Sequence, residues 1–184
     1  SNEGFATAGG VQYVACAGNF KDAGLEYTGA LKVLQMIFSY EYLWIQIRVK
    51  GGAYGCMCSF SDQGDSMFVT YRDPNLSESY KVYDEAADYV ADFDADDRDM
   101  KKYIIGTIGS MDMPMEAVDM GARSFHAYFL GKTEADLQKV RDQVLSCTQE
   151  DIRALAPIVK AVVEAGNRCC IGNEEKIDQN KEYF

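Results

Sequence analysis

Histidine is nearly absent from this sequence, with one residue, His126, in 184. A hydrolytic zinc site needs roughly three protein ligands and a general base. Neither HxxEH nor HExxH occurs, so the chain is expected to hold no metal and to be inactive by itself. Proline is scarce, at three residues, and no tract is low in complexity, which excludes a disordered or fibrous chain. Basic residues are outnumbered 29 to 18, for a net charge of −11. A phosphate backbone needs a basic patch, so nucleic acid is excluded as a partner, whereas cationic peptides are compatible with such a surface. No apolar run is both long and uncharged enough to cross a bilayer, and no membrane partner is expected.

The cysteines lack any CxxC spacing. Cys16, Cys56, Cys58, Cys147, Cys169 and Cys170 are irregularly placed, which excludes a zinc ribbon and a disulfide framework. They read as reduced, mostly buried thiols of a cytoplasmic protein. Only Arg168 places a cation beside a cysteine pair, and a reactive thiolate needs such a neighbour. No serine or cysteine nucleophile has a nearby base. Gly51-Gly52 precedes no Gly-Lys-Ser/Thr and follows a helical run, so it is not a phosphate loop. Asp92, Asp94, Asp96, Asp97 and Asp99 resemble a calcium loop only superficially. Its sixth and twelfth positions would be Asp97 and Tyr103 rather than glycine and glutamate, and the run reads as a solvated loop and an acidic first helical turn.

What remains is a chain rich enough in apolar residues, at 47%, for one packed domain spanning residues 1–184. Ser1-Asn2-Glu3 reads as an artificial junction. Val11–Ala17 is expected to form a strand, and residues 27–48 one long, central, buried helix ended by Gly51-Gly52. Residues 53–60 and 66–72 form a hairpin around Ser61–Asp65, with Tyr54, Cys56, Cys58 and Phe60 on one face. Helical spacing follows over 76–93, from near Asp96 to Ile108, and from Met113-Pro114 to Gly131. Thr133-x-x-Asp136 and Thr148-x-x-Asp151 read as capping boxes that open two further helices. A last strand covers 167–171. His126, on a helix, reads as a partly buried, hydrogen-bonded histidine. The order predicts an α+β fold, a largely antiparallel sheet with helices packed on one face. The other face must be covered or carry polar side chains.

One stretch points to chemistry. In Ile47-Arg48-Val49-Lys50-Gly51-Gly52-Ala53-Tyr54-Gly55, a guanidinium and a phenol flank a tight turn. By residue physics alone, Arg48 is also a cation at a helix C-terminus and Tyr54 an ordinary strand aromatic. Together they are candidate donors to a peptide carbonyl or to the oxyanion of amide hydrolysis, with arginine favoured for its planar fork of donors.

This block, with Tyr71-Arg72-Asp73-Pro74-Asn75 after the hairpin, resembles the C-terminal part of the presequence-protease branch of the insulinase (pitrilysin-type) zinc peptidases. The resemblance runs from about Val11 onward. It implies a LuxS/insulinase-like metallopeptidase fold and the last domain of a larger, multi-domain endopeptidase. That enzyme would degrade short unstructured peptides in a closed chamber. Its zinc would be bound outside this chain, by the N-terminal catalytic domains of the same polypeptide, while Arg48 and Tyr54 contact the substrate. The same fold also implies an alternative, a non-catalytic scaffold or interaction subunit. A free peptide-binding module is a third.

Overall fold

The computed structural model describes residues 2–184. Five strands form one open sheet: β1 (Glu3–Thr7), β2 (Tyr13–Asn19), β3 (Gly55–Phe60), β4 (Asp65–Tyr71) and β5 (Asn167–Asn173). Their spatial order is β1-β5-β2-β4-β3. The β2·β5, β2·β4 and β3·β4 pairs are antiparallel and β1·β5 is parallel. The fold is thus α+β with a largely antiparallel sheet, as expected. The hairpin lies where its turn chemistry puts it, with Gly64 at φ 97 closing the turn.

Strand β1 was not anticipated. Glu3 is its first residue, and Ser1 lies outside the described residues. Its sequence, EGFAT, has little β-branched content, and among the described residues its sheet partner is β5, some 165 residues away.

The helices are α1 (Ala30–Tyr40), α2 (Ser77–Asp84), α3 (Ala86–Ala91), α4 (Asp97–Met111), α5 (Ala117–Phe129), α6 (Glu134–Leu145), α7 (Gln149–Arg153), α8 (Ala156–Glu164) and α9 (Glu174–Gln179). Asp96 caps α4 through a bond from Asp99 N, and the capping boxes at Thr133/Asp136 and Thr148/Asp151 both form. The long helix expected over 27–48 is instead broken. Helix α1 ends where Glu41 adopts φ −110, ψ −84, and a π-helical segment, Trp44–Lys50, follows.

Helices α1, α2 and α8 pack on one face of the sheet. That face supplies Val14, Cys16, Cys58, Phe68 and Cys170 to the core, all essentially inaccessible to water. Phe68 is the hub: its ring centroid lies 5.7 Å from Phe38, 6.0 Å from Phe60 and 5.4 Å from Tyr83. The hydroxyls of Tyr83 and Tyr80 donate to the carbonyls of Val14 and Cys169, so the helical layer is bonded to the sheet as well as packed on it. The opposite face carries Asn19, Asp65 and Asn167 toward one end and is largely apolar elsewhere. It exposes Phe5, Tyr13, Met57, Met67, Tyr71 and Ile171, contrary to the expectation for a face without a partner.

The six thiols are unpaired with one another, and four are buried. Burial pushes Cys16 and Cys56 up to about 11, and Cys147 and Cys170 up to about 12, from an ordinary 9.0. Burial likewise carries Tyr27 and Tyr89 from 10.0 to about 12. The unfolded chain releases these protons from about pH 9 upward, whereas the folded chain keeps them. The stability they contribute is therefore complete below pH 9.0 and is lost as pH rises toward 12. The urea midpoint is expected to hold steady from neutrality to about pH 8.5 and to drop steeply between about 9 and 11. A midpoint unchanged at pH 11 would contradict this account.

Candidate functional site

The break after α1 decides where Arg48 points. In the π-helical segment the turn is wide: Gly51 N donates to the Gln46 carbonyl at 3.0 Å, five residues back. Wide turns of this kind are rare and concentrate at functional sites. Trp44 and Arg48 lie four residues apart and meet, with the guanidinium carbon 4.3 Å from the indole centroid. The same carbon lies 5.6 Å from the Tyr54 ring centroid, and Arg48 Nη1 donates to the Tyr54 main-chain carbonyl. The guanidinium is therefore flanked by two aromatic rings and anchored by one bond. Each cation–π contact contributes on the order of 0.5–1 kcal/mol at a site this open.

Between Arg48 and Tyr54 the chain reverses through Gly51-Gly52. A Cβ at Gly51 would fall 2.6 Å from the Ile47 carbonyl, and Gly52 sits at φ 81, so each glycine meets a separate demand. The turn is held from the side by the Tyr71–Asn75 segment. Asn75 Nδ2 donates to the Gly51 carbonyl at 2.6 Å, and Tyr54 N donates to the Arg72 carbonyl at 3.2 Å. Arg72 takes φ 49, an uncommon value for a non-glycine residue.

Asp73 fixes this segment in turn. Fully buried, it accepts from Ser79 Oγ at 2.6 Å and Asn75 N at 2.9 Å, while its backbone pairs both ways with Gln12. Burial pushes its carboxyl above the usual range, opposed by those hydrogen bonds. The two sequence blocks that seemed separate are thus one construction, in which the second holds the turn carrying the first.

Tyr54 departs from the expected alternation. Cys58 and Phe60 face the core and Cys56 is half-buried, but Tyr54 precedes the first ladder residue, Gly55, and is 64% exposed. Its ring sits edge-to-face on Tyr71, centroids 5.8 Å apart. The structure therefore brings Arg48 and Tyr54 together at one border of the open sheet face, with the phenol and part of the guanidinium accessible. Trp44 and Asn75 complete the arrangement and were missed. The i, i+4 spacing of Trp44 and Arg48 was a readable signal for the first; nothing local marks the second.

Other candidates fall elsewhere. His126 is exposed on α5, rather than partly buried and bonded. Helix α5 buries no residue at all, so the local pattern had no layer to face. Among the described residues no three His, Cys, Asp or Glu side chains lie together in a way that could hold a metal ion. The described residues offer no set of ligands that fits a zinc ion. Among the described residues no helix is long and apolar enough to cross a membrane.

Comparison with known proteins shows the family of the chain. The family model described as the PreP C-terminal domain matches residues 2–173. The chain belongs to the PreP C-terminal domain family. Protein HypA of Clostridium perfringens is 44% identical over 183 residues, covering 100% of this chain and 19% of HypA. Presequence protease 1, chloroplastic/mitochondrial, of Arabidopsis thaliana is 34% identical over 178 residues, covering 96% of this chain and 16% of that protein. The chain thus spans under a fifth of the length of these curated relatives. Among solved structures, a peptidase M16 inactive domain from Pseudomonas fluorescens aligns with TM-score 0.65 at 17% identity, over 94% of this chain and 42% of that one. Pitrilysin aligns with TM-score 0.59 at 13% identity, over 91% of this chain and 19% of pitrilysin. At such identities these two show a shared fold.

Proposed function

We propose that this chain is the last domain of a zinc-dependent endopeptidase of the presequence-protease type, which degrades short unstructured peptides in a closed chamber. The zinc, its ligands and the general base belong to N-terminal catalytic domains of the same polypeptide. Arg48 and Tyr54 are this domain's contribution to the chemistry. The observation that carries the reading is the meeting of the guanidinium and the Tyr54 ring, with centroid and carbon 5.6 Å apart, at an accessible edge.

Arg48 spends one N–H on the Tyr54 carbonyl and keeps further N–H donors for a substrate carbonyl; the Tyr54 hydroxyl supplies another. As the carbonyl carbon becomes tetrahedral its oxygen gains charge, and donors already held in place stabilise it without reorganising. The neighbouring rings and the Asn75–Gly51 bond do the holding. The family membership and the named proteases among the relatives support the parent's class.

Tyr54→Phe in the complete enzyme tests the role. The ring, its contact with Tyr71 and its stacking on Arg48 all remain, and only the donor is lost. Removing one such donor typically costs on the order of 100-fold in kcat, with KM changed little. Unchanged turnover in this variant would remove the catalytic role and leave the scaffold reading in its place.

A further inference from the structure

The chain has a net charge of −11, yet one cavity is lined by the opposite sign. It lies between the start of α1, the hairpin turn, the connection from α4 to α5, and α6, and has a volume of about 500 Å³. Lys32, Arg123 and Lys132 line it against a single carboxylate, Asp62. Asp62 is already committed, since it is ion-paired with Lys132. Among the described residues, Lys32 and Arg123 have no carboxylate within ion-pairing distance. Arg123 Nη1 is turned instead to Met115 Sδ, at 3.8 Å, and a thioether is a weak acceptor. Burial holds the Lys32 ammonium below its ordinary range; Asp62 opposes this, and the like charges of Arg123 and Lys132 add to it. Two cations are thus gathered without a counter-charge of the chain's own. Much of the remaining lining is apolar: Met111, Met113, Met115, Leu137 and Val140. Of α5, which buries no residue, only Arg123 reaches the lining.

We propose that this cavity binds a carboxylate joined to a compact apolar group, with Lys32 and Arg123 taking the carboxylate and the methionines taking the apolar group. Such chemistry is offered by the free C-terminus of a short peptide ending in an apolar residue, and by a small aliphatic acid. The planar fork of an arginine matches two carboxylate oxygens, and the lysine adds a point charge. An incoming anion relieves the repulsion between the cations, which a neutral or cationic ligand cannot do. A bare inorganic anion would use the charges and leave the thioether wall without a partner. Methionine side chains are unbranched and adapt to varied shapes, so the apolar group is recognised by its bulk and not by its outline. The volume is ordinary for a small-ligand cavity. The site is separate from Arg48 and Tyr54. Asp62 lies past the far end of β3, and the six residues Gly55–Phe60 set Tyr54 roughly 20 Å away. Binding here is therefore independent of the function proposed above.

The test is calorimetry of the 184-residue chain at physiological salt with three probes: a short glycine–serine peptide ending in leucine with a free C-terminus, the same peptide as its C-terminal amide, and octanoate. At least one of the two carboxylates is expected to bind roughly tenfold or more tighter than the amide. It is also expected to shift the methyl resonances of Met111, Met113 and Met115. The tighter of the two carboxylates identifies the source. Lys32→Gln and Arg123→Gln are each expected to weaken that carboxylate at least fivefold. Arg123 is exposed, so its variant is expected to keep the wild-type urea midpoint, and it carries the test if Lys32→Gln folds poorly. Lys160→Gln removes the same charge from the exposed surface of α8 and is expected to change nothing. Carboxylates that bind no tighter than the amide, or wild-type affinity in Arg123→Gln, would overturn the proposal. So would an equal loss in Lys160→Gln, which would reduce the effect to overall charge. Inorganic phosphate binding as tightly as either carboxylate would overturn it in favour of a bare anion site.

Discussion

Arg48→Lys in the complete enzyme is expected to lower kcat by on the order of 100-fold while leaving KM within a few-fold. The charge survives this change, so it isolates geometry. Arginine presents several donors in a rigid plane, and here one is already committed to the Tyr54 carbonyl. Lysine has a single rotatable ammonium that cannot span that carbonyl and a substrate oxygen in the same orientation. It also loses the guanidinium–indole contact, in which the guanidinium carbon lies 4.3 Å from the Trp44 ring centroid. If positive charge alone mattered, the lysine enzyme would keep most of its turnover, and pre-steady-state kinetics would show an unaltered chemical step. Wild-type turnover by Arg48→Lys would therefore discard the donor-fork mechanism even if Arg48→Ala were dead.

The second large effect concerns the scaffold. Phe68→Ala is expected to destabilise the chain by about 3–5 kcal/mol, the usual cost of truncating a fully buried aromatic. Phe68 is fully buried on β4 and contacts rings from α1, β3 and α2 together, so the surroundings have little freedom to collapse into the gap. For a domain of this size that corresponds to a melting point lower by roughly 10 °C. A fall of under about 1 kcal/mol in urea titration would mean that the sheet and the helical layer are joined mainly elsewhere. Met57→Ala, on the open face of the same hairpin, is the contrast: at 55% exposure it should cost well under about 1 kcal/mol.

Local chemistry made much of this architecture legible. The Ser61–Asp65 turn, the aspartate cap of α4 and both Thr-x-x-Asp boxes are short-range hydrogen-bond patterns, and each forms where the residues put it. What escaped depends on distant partners. Strand β1 exists because β5 offers an edge, and nothing in EGFAT announces that. The interruption between Tyr40 and Trp44 carries no glycine or proline to mark it. Tyr54 obeys the Arg72 carbonyl and not the alternation of the strand it precedes. The candidate pair itself was readable as a spacing across a glycine turn, and Trp44 as an i, i+4 neighbour of Arg48, but Asn75 joins them only once the chain is folded. The exposed apolar side chains of the open face were hidden for the same reason, since Phe5, Tyr13, Met57, Tyr71 and Ile171 come from five separate strands.

The pairing of β1 with β5 bears on how the protein is made. During synthesis, β2 can zip onto β4 and β3 as soon as residue 71 leaves the ribosome, giving a three-stranded nucleus. Among the described residues β1 pairs with β5 alone, and that partner is translated about a hundred residues later. For that interval the β1·β5 ladder is unmade and Phe5 lacks its neighbour Ile171, an exposure that favours contact with other nascent chains.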